Sequence, residues 1–259
     1  MASLKHLSNR DTTNFARVCR LVSVCADLLR DVLLHFVSVM SLYSELDRAK
    51  EKFMKILNPQ QKILLYKKRK SFLPYDDLDI SLLYLIIRNL CDESLHTLSN
   101  GQKGMTSPKE GWGKEPTEKD RSLAANIERI RLFRNDICHR ENASMANPEF
   151  SFIWTKMSRV VEEIEKELGN KVNPTKHIDL LKTIRSISMD PEEAQKYIKE
   201  LEKMKEEKEG LEERLNLKIE ELKKEIVNKD LARIIKNPGL FDIFLKPISS
   251  YIITKQIFK

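Results

Sequence analysis

Glycine and proline are scarce in this chain, at 7 and 9 of 259 residues. A sheet-rich domain needs many tight turns, so this scarcity, set beside abundant Leu, Ile, Lys and Glu, points to long helices joined by few connections. Long apolar runs are missing too. A membrane span requires roughly 18 uninterrupted apolar residues, and the best stretch, Val18 to Met40, is broken by Arg20, Asp27, Arg30 and Asp31. It reads as a buried helix. No basic-then-apolar leader precedes it, since Lys5, His6, Asn9, Arg10 and Asp11 occupy that position, so the expectation is a cytoplasmic protein with no membrane partner. Only four cysteines occur, and Cys19, Cys25, Cys91 and Cys138 form no C-x-x-C pair and no His/Cys spacing that holds zinc. They read as small buried hydrophobes, with no metal and no cofactor expected. Phosphate-cradling loops of the G-x-x-x-x-G-K and G-x-G-x-x-G types are absent as well, which argues against nucleotide-driven enzymes.

What is present divides unevenly by charge. Residues 190–230 carry 10 basic and 14 acidic side chains, a net of −4, so the +7 of the whole chain leaves +11 for the remainder. A basic body suits nucleic acid or another polyanion, and a lysine-rich solvated surface looks the same.

Apolar positions recur at helical spacing from Phe15 to Met40, through Val18, Leu21, Val22, Cys25, Leu28, Leu29, Val32, Phe36 and Val39. A second helix is expected from Leu42 to Ile56, stopping near Asn58-Pro59. Residues Gln60 to Tyr66 lead into the basic run Lys67 to Lys70, which reads as a solvated turn or a phosphate contact. Asp76-Asp77-Leu78-Asp79 opens a heavily apolar helix with Ile80, Leu82, Leu83, Leu85, Ile86, Ile87 and Leu90. The stretch from Ser99 to Lys119 carries four of the seven glycines and two prolines, and is expected to be a long loop. Asp120 opens the next helix, with Leu123, Ile127, Ile130, Phe133 and Ile137 inward. Another is expected from Pro148 to Leu168, with Phe152, Ile153, Met157, Val160, Val161 and Ile164 inward and Gly169-Asn170 as its stop.

The expected organisation is therefore all-α: a lead over 1–14, a helical domain over 15–170, a connector over 171–189, a charged helix over 190–230 and an apolar-basic tail over 231–259. In the charged segment Leu201, Met204, Leu211, Leu215 and Leu222 alternate by three and four, while Lys208 and Lys218 interrupt the same stripe. It reads as a coiled coil or as a single solvated helix, and as the arm that would meet a protein partner.

One cluster is chemically pointed. On a helix, Asn135 and His139 are neighbours on one face, with Glu128 further back along the stripe, and the wheel sets all three opposite Ile130, Phe133 and Ile137. Arg134 lies roughly 100° round from Asn135. Metal-free RNA cleavage wants such a set. A His can take the proton from a 2′-hydroxyl, an Arg can stabilise the charge building on the phosphorane, and an Asn can orient either; a second His from a twofold dimer would protonate the leaving oxygen. Glu128, Arg131, Arg140 and Trp112 are the expected substrate contacts, Trp112 serving either as a base-stacking platform or as a loop anchor.

Spacing alone is weak, because Arg30, Asp31 and His35 repeat the arrangement. Random placement of 16 arginines and 5 histidines gives about 0.3 such pairs. His35 is expected to pack beside the apolar face. Arg88 and Asn89 read as caps or pairs within the bundle, or as neighbours of the active face.

Three longer blocks add to the cluster: Asp79 to Cys91; Gly111-Trp112-Gly113 with Pro116 and Asp120; and Ile127-Glu128-Arg129-Ile130-Arg131 running into Arg134-Asn135 and His139. Residues 15 to 168 carrying these blocks resemble the HEPN domain, in the branch related to DAZ-interacting zinc-finger protein 3. That resemblance implies a helical bundle dimerising through its motif-bearing helices and, in many members, a metal-independent endoribonuclease. It is compatible with a catalytic dimer acting on RNA through Arg134, Asn135 and His139, and equally with a non-catalytic module that binds RNA or protein. In the pattern of this branch a Gly often precedes the His after one more residue, where this chain has Cys138.

Overall fold

The computed structural model describes residues 9–67, 78–140, 142–169 and 175–186, with isolated helical positions at 192, 195–196, 198–199 and 220. The charged segment and the tail lie outside the described residues apart from those positions, and so do Lys68 to Lys70. The chain divides into two compact units, 1–202 and 203–259, and the elements below belong to the first.

Eight α-helices and one π-helical turn make up the described chain, with no strand among the described residues. Helix α1 (Asn9–Phe36) is the central rod, flanked by α5 (Ile80–Leu90), α7 (Asn147–Leu168), α8 (Lys176–Ser186) and, less extensively, α6 (Leu123–Cys138). Its Leu21, Cys25, Leu28, Leu29 and Val32 are wholly buried, as the periodicity predicts. All four cysteines are buried and form no disulfide, and burial pushes the Cys25 thiol up to about 12, so Cys25 is not a nucleophile at neutral pH. Among the described residues no helix is long and apolar enough to cross a membrane.

The expected second helix is two. Helix α2 (Val39–Arg48), capped by Ser38, ends at Ala49, where the backbone departs from helical geometry before α3 (Lys50–Ile56). Asn58-Pro59 then starts a helix. Asn58 and Gln61 form a reciprocal capping box and Pro59 sits at the first position of α4 (Pro59–Lys62), where a missing N–H costs nothing. A π-helical turn follows at Ile63–Lys67.

Asp79 caps α5, its carboxylate accepting from Leu82 N at 2.9 Å. Ser122, not Asp120, caps α6; Asp120 instead braces the turn before it, accepting from Lys109 N at 2.9 Å and from the Ser122 hydroxyl at 2.7 Å. Helix α7 ends at Gly169, whose φ of 56° is the left-handed stop a glycine supplies without strain.

Two inward assignments are corrected. Phe152 is 69% exposed, because α7 turns its Phe150, Trp154 and Met157 to the core and leaves Phe152 on the outer side. His35 is exposed near the end of α1, its ring edge-on to Phe36 at 5.0 Å. The stretch read as a connector contains α8. Glu165 of α7 accepts from the backbone N–H groups of His177 and Ile178 at its start, and the His177 ring meets Asp31 of α1 at 2.9 Å. His177, Leu181 and Ile184 are its buried face.

Candidate functional site at the end of α6

Helix α6 runs through the bundle against α5 and α7, and every residue from Leu123 to Ile130 is buried, polar ones included. The expectation that Glu128 faces outward is overturned, since it is wholly buried. The long loop between α5 and α6 covers that side of the helix, which one helix's periodicity cannot reveal. Gly111 and Gly113, at φ 81° and 88°, take conformations that disfavour any other residue, and between them they turn Trp112 inward. The Trp112 indole N–H donates to Asp92 Oδ2 at 2.5 Å, and Gly113 N donates to Glu128 Oε2 at 3.2 Å. Tyr84 of α5 donates to the same Glu128 oxygen at 2.7 Å and stands edge-on to Trp112. Burial, then the hydrogen bond to Glu128, push the Tyr84 phenol up to about 12, so it remains a donor at neutral pH.

The residues expected to bind substrate take part in these contacts or in similar ones. Trp112 is a loop anchor. Arg131 pairs with Glu128 through Nε and a terminal nitrogen and lies over the Tyr84 ring, 5.4 Å from its centroid. Arg140 forks onto both Glu149 oxygens and donates to Ser144 O at 3.1 Å. Glu128, Arg131, Trp112 and Arg140 are thus held in intramolecular pairs. Asp92, Tyr84 and Glu149 complete those pairs and carry no local sequence signal. Among the former alternatives, Asn89 is buried and donates to Leu85 O at 2.8 Å, a local pairing within α5.

Arg134, Asn135 and His139 are placed differently. Arg134 is 8% exposed, yet its guanidinium has only loose partners: Asn135 Oδ1 at 3.4 Å and Asp79 Oδ2 at 3.9 Å, with Nε buried and lacking a hydrogen-bond partner. His139 is the residue at which α6 stops. Its backbone N–H donates to Asn135 O at 3.0 Å and its side chain is exposed. Arg134 and Asn135 therefore meet, while five residues of helix set Arg134 and His139 roughly 140° apart in azimuth. Among the described residues no group of three His, Cys, Asp or Glu is arranged to hold a metal ion.

Beside this end of α6 lies a cleft of about 370 Å³ between α6, α7 and the loop at Glu115-Pro116. Phe133, Ile137 and Met157 line it, with the exposed Phe152 and Lys156 contributed by α7. Leu132 and Asp136 also line it, and His139 follows them on the same stripe at i+7 and i+3. Sequence reading missed the cleft, because it placed Phe152 in the core.

The family profile of DZIP3/hRUL138-like HEPN domains matches residues 34–197, well over half of the chain and inclusive of α2 through α8. No curated protein and no solved structure gives a significant match.

Proposed function

Because the chain belongs to the DZIP3/hRUL138-like HEPN family, we propose that it is an RNA-directed domain whose Arg134, Asn135 and His139 form one half of a metal-independent endoribonuclease site, completed by a second copy. The observation that carries this is the state of Arg134: a nearly buried guanidinium with an unpartnered Nε and contacts no closer than 3.4 Å, where Arg131 and Arg140 have close carboxylate partners. A buried cation with unused donors is costly to keep, and an incoming phosphate oxygen would satisfy it.

In this reading His139, exposed at the helix end, takes the proton of the ribose 2′-hydroxyl. The 2′-oxygen attacks phosphorus, Arg134 stabilises the charge gathered on the phosphorane, and the bond to the 5′-oxygen breaks, leaving a 2′,3′-cyclic phosphate. The second copy's histidine delivers the proton to the departing 5′-oxygen, which would otherwise leave as an alkoxide. A twofold dimer also answers the divergence of Arg134 and His139, since each could act with groups from the other copy.

The burial of Arg134 favours a second reading, in which the same residues bind RNA or stabilise an interface without cleaving. Cleavage of a mixed-sequence, end-labelled single-stranded RNA in excess EDTA separates them. Products ending in 2′,3′-cyclic phosphate that vanish in both His139→Ala and Arg134→Ala are expected. Retention of RNA on a gel by the wild type, with no product across several sequences, would leave the binding module.

A further inference from the structure

We infer that the cleft between α6 and α7 is a nucleobase subsite, selecting bases that carry an exocyclic amine; this rests on the RNA reading of the adjacent helix end. Phe152 carries the argument first. It is 69% exposed at the cleft while its neighbours Phe150 and Trp154 are buried in the core. A large aromatic left in water on an otherwise well-sorted helix is a stacking surface without its partner, and every base offers a π-face of matching size.

Volume and charge narrow the ligand. At about 370 Å³ the cleft sits at the small end of the roughly 300–1,000 Å³ typical of small-molecule sites, which suits one heterocycle with its ribose and not a docked helix. Its rim holds Glu115, Glu118, Asp136 and Glu149 against Arg129, Arg140 and Lys156. Arg129 is occupied by Asn126 Oδ1, Thr117 O and Asp120 O, and Arg140 by Glu149. With Glu149 taken up by Arg140, the carboxylates of Glu115, Glu118 and Asp136 are the rim's acceptors, and they accept hydrogen bonds from amino groups as carboxylates do from cytosine N4. Lys156, one helical turn from Phe152, is the cation left for the ribose-phosphate side. The stripe Leu132, Asp136 and His139 fixes the direction: a base seated over Phe152 has its phosphodiester on the side where α6 ends.

The test is saturation-transfer NMR on the full chain with AMP, GMP, CMP and UMP, which needs no cleavage and so can fail independently of the nuclease reading. Base-proton signals are expected for AMP, GMP and CMP, and weaker ones for UMP. Phe152→Ala should raise the apparent Kd by about tenfold, within the range for losing one stacked base; Phe152→Trp should restore binding, and Met40→Ala, which removes an 84% exposed side chain elsewhere, should change nothing. Phe152 packs on so little that its removal leaves the fold intact. Binding that is equal in wild type and Phe152→Ala overturns the subsite, as does the absence of base signals. Loss of a dimer in Phe152→Ala with unchanged nucleotide binding also overturns it, and assigns the cleft to protein contact. Cleavage that fails while Phe152-dependent binding persists leaves the subsite standing and removes the nuclease.

Discussion

The two halves of α6 hold arginines in opposite ways. In the first half Arg129 reaches Asn126 Oδ1 at 2.7 Å, Thr117 O at 2.7 Å and Asp120 O at 2.6 Å, and Glu128 of that half reaches forward to clasp Arg131, just past the midpoint. In the second half Arg134 is as deeply buried as Arg129, both at 8% exposure, but touches its neighbours only at 3.4 and 3.9 Å. Residue type and burial are the same in the two cases. Acceptor supply differs, and it divides arginines with close acceptors from one whose Nε has none.

That contrast can be broken from either end. The largest effect is expected for Glu128→Ala, which strands Arg131, the Tyr84 hydroxyl and Gly113 N together. A loss of about 3–5 kcal/mol in denaturant unfolding is expected, as for removing one partner of a buried pair. Arg129→Gln should cost about 2–3 kcal/mol by the same measurement, because the carbonyls of Thr117 and Asp120 lose their donor. Gly104→Ala tests the loop that covers α6. A Cβ there would stand 2.4 Å from Cys91 O and 2.9 Å from Glu93 N, both backbone atoms that cannot swing away, so a loss of about 1–3 kcal/mol should follow. Arg134→Gln, the matched partner of Arg129→Gln, should cost about 1 kcal/mol or less while abolishing RNA cleavage. Equal destabilisation by the two glutamine variants would remove the distinction.

The smallest effect is one of pH. Burial raises the Asp92 carboxyl, but hydrogen bonds from Ser107, Ser94 and Trp112 outweigh it and hold the group below the ordinary Asp range; Asp120 is likewise held low, against burial, by Lys109 N and Ser122. A carboxylate held low stabilises the fold fully above its unfolded pKa of about 3.9 and loses that contribution as pH falls through the folded value. Unfolding free energy should therefore decline below about pH 4, and Asp92→Asn should flatten part of that slope.

Helix periodicity recovers most of the fold, because α1 and α7 bury apolar stripes that recur in the sequence, α5 is apolar almost throughout, and the inward positions expected of α6, Leu123, Ile127, Ile130, Phe133 and Ile137, are all buried. It fails where a partner remote in the chain decides the environment. Nothing near Glu128 announces that Gly113 and Tyr84 will close over it, and Phe152 matches the inward stripe of α7 as well as a buried residue would. At Pro59 the expected stop holds, since α3 ends at Ile56, and the gap is the short helix that the same proline begins, which only the Asn58–Gln61 box announces. His177, Leu181 and Ile184 are spaced at i, i+4 and i+7, so α8 was legible but short. For the site, the motif shows which residue types cluster, while the acceptors available to each arginine are a property of the folded bundle.

The clasp between α7 and α8 bears on how the domain can be handled at the bench. A fragment cut at Gly169 keeps every motif residue, yet it leaves Glu165 and Asp31 without the His177 and Ile178 groups they hold and uncovers the apolar ground beneath Leu181 and Ile184. An expression boundary placed beyond Ser186 retains that cover, and inactivity of a shorter piece would report a missing wall of the helical bundle, not a missing catalytic group.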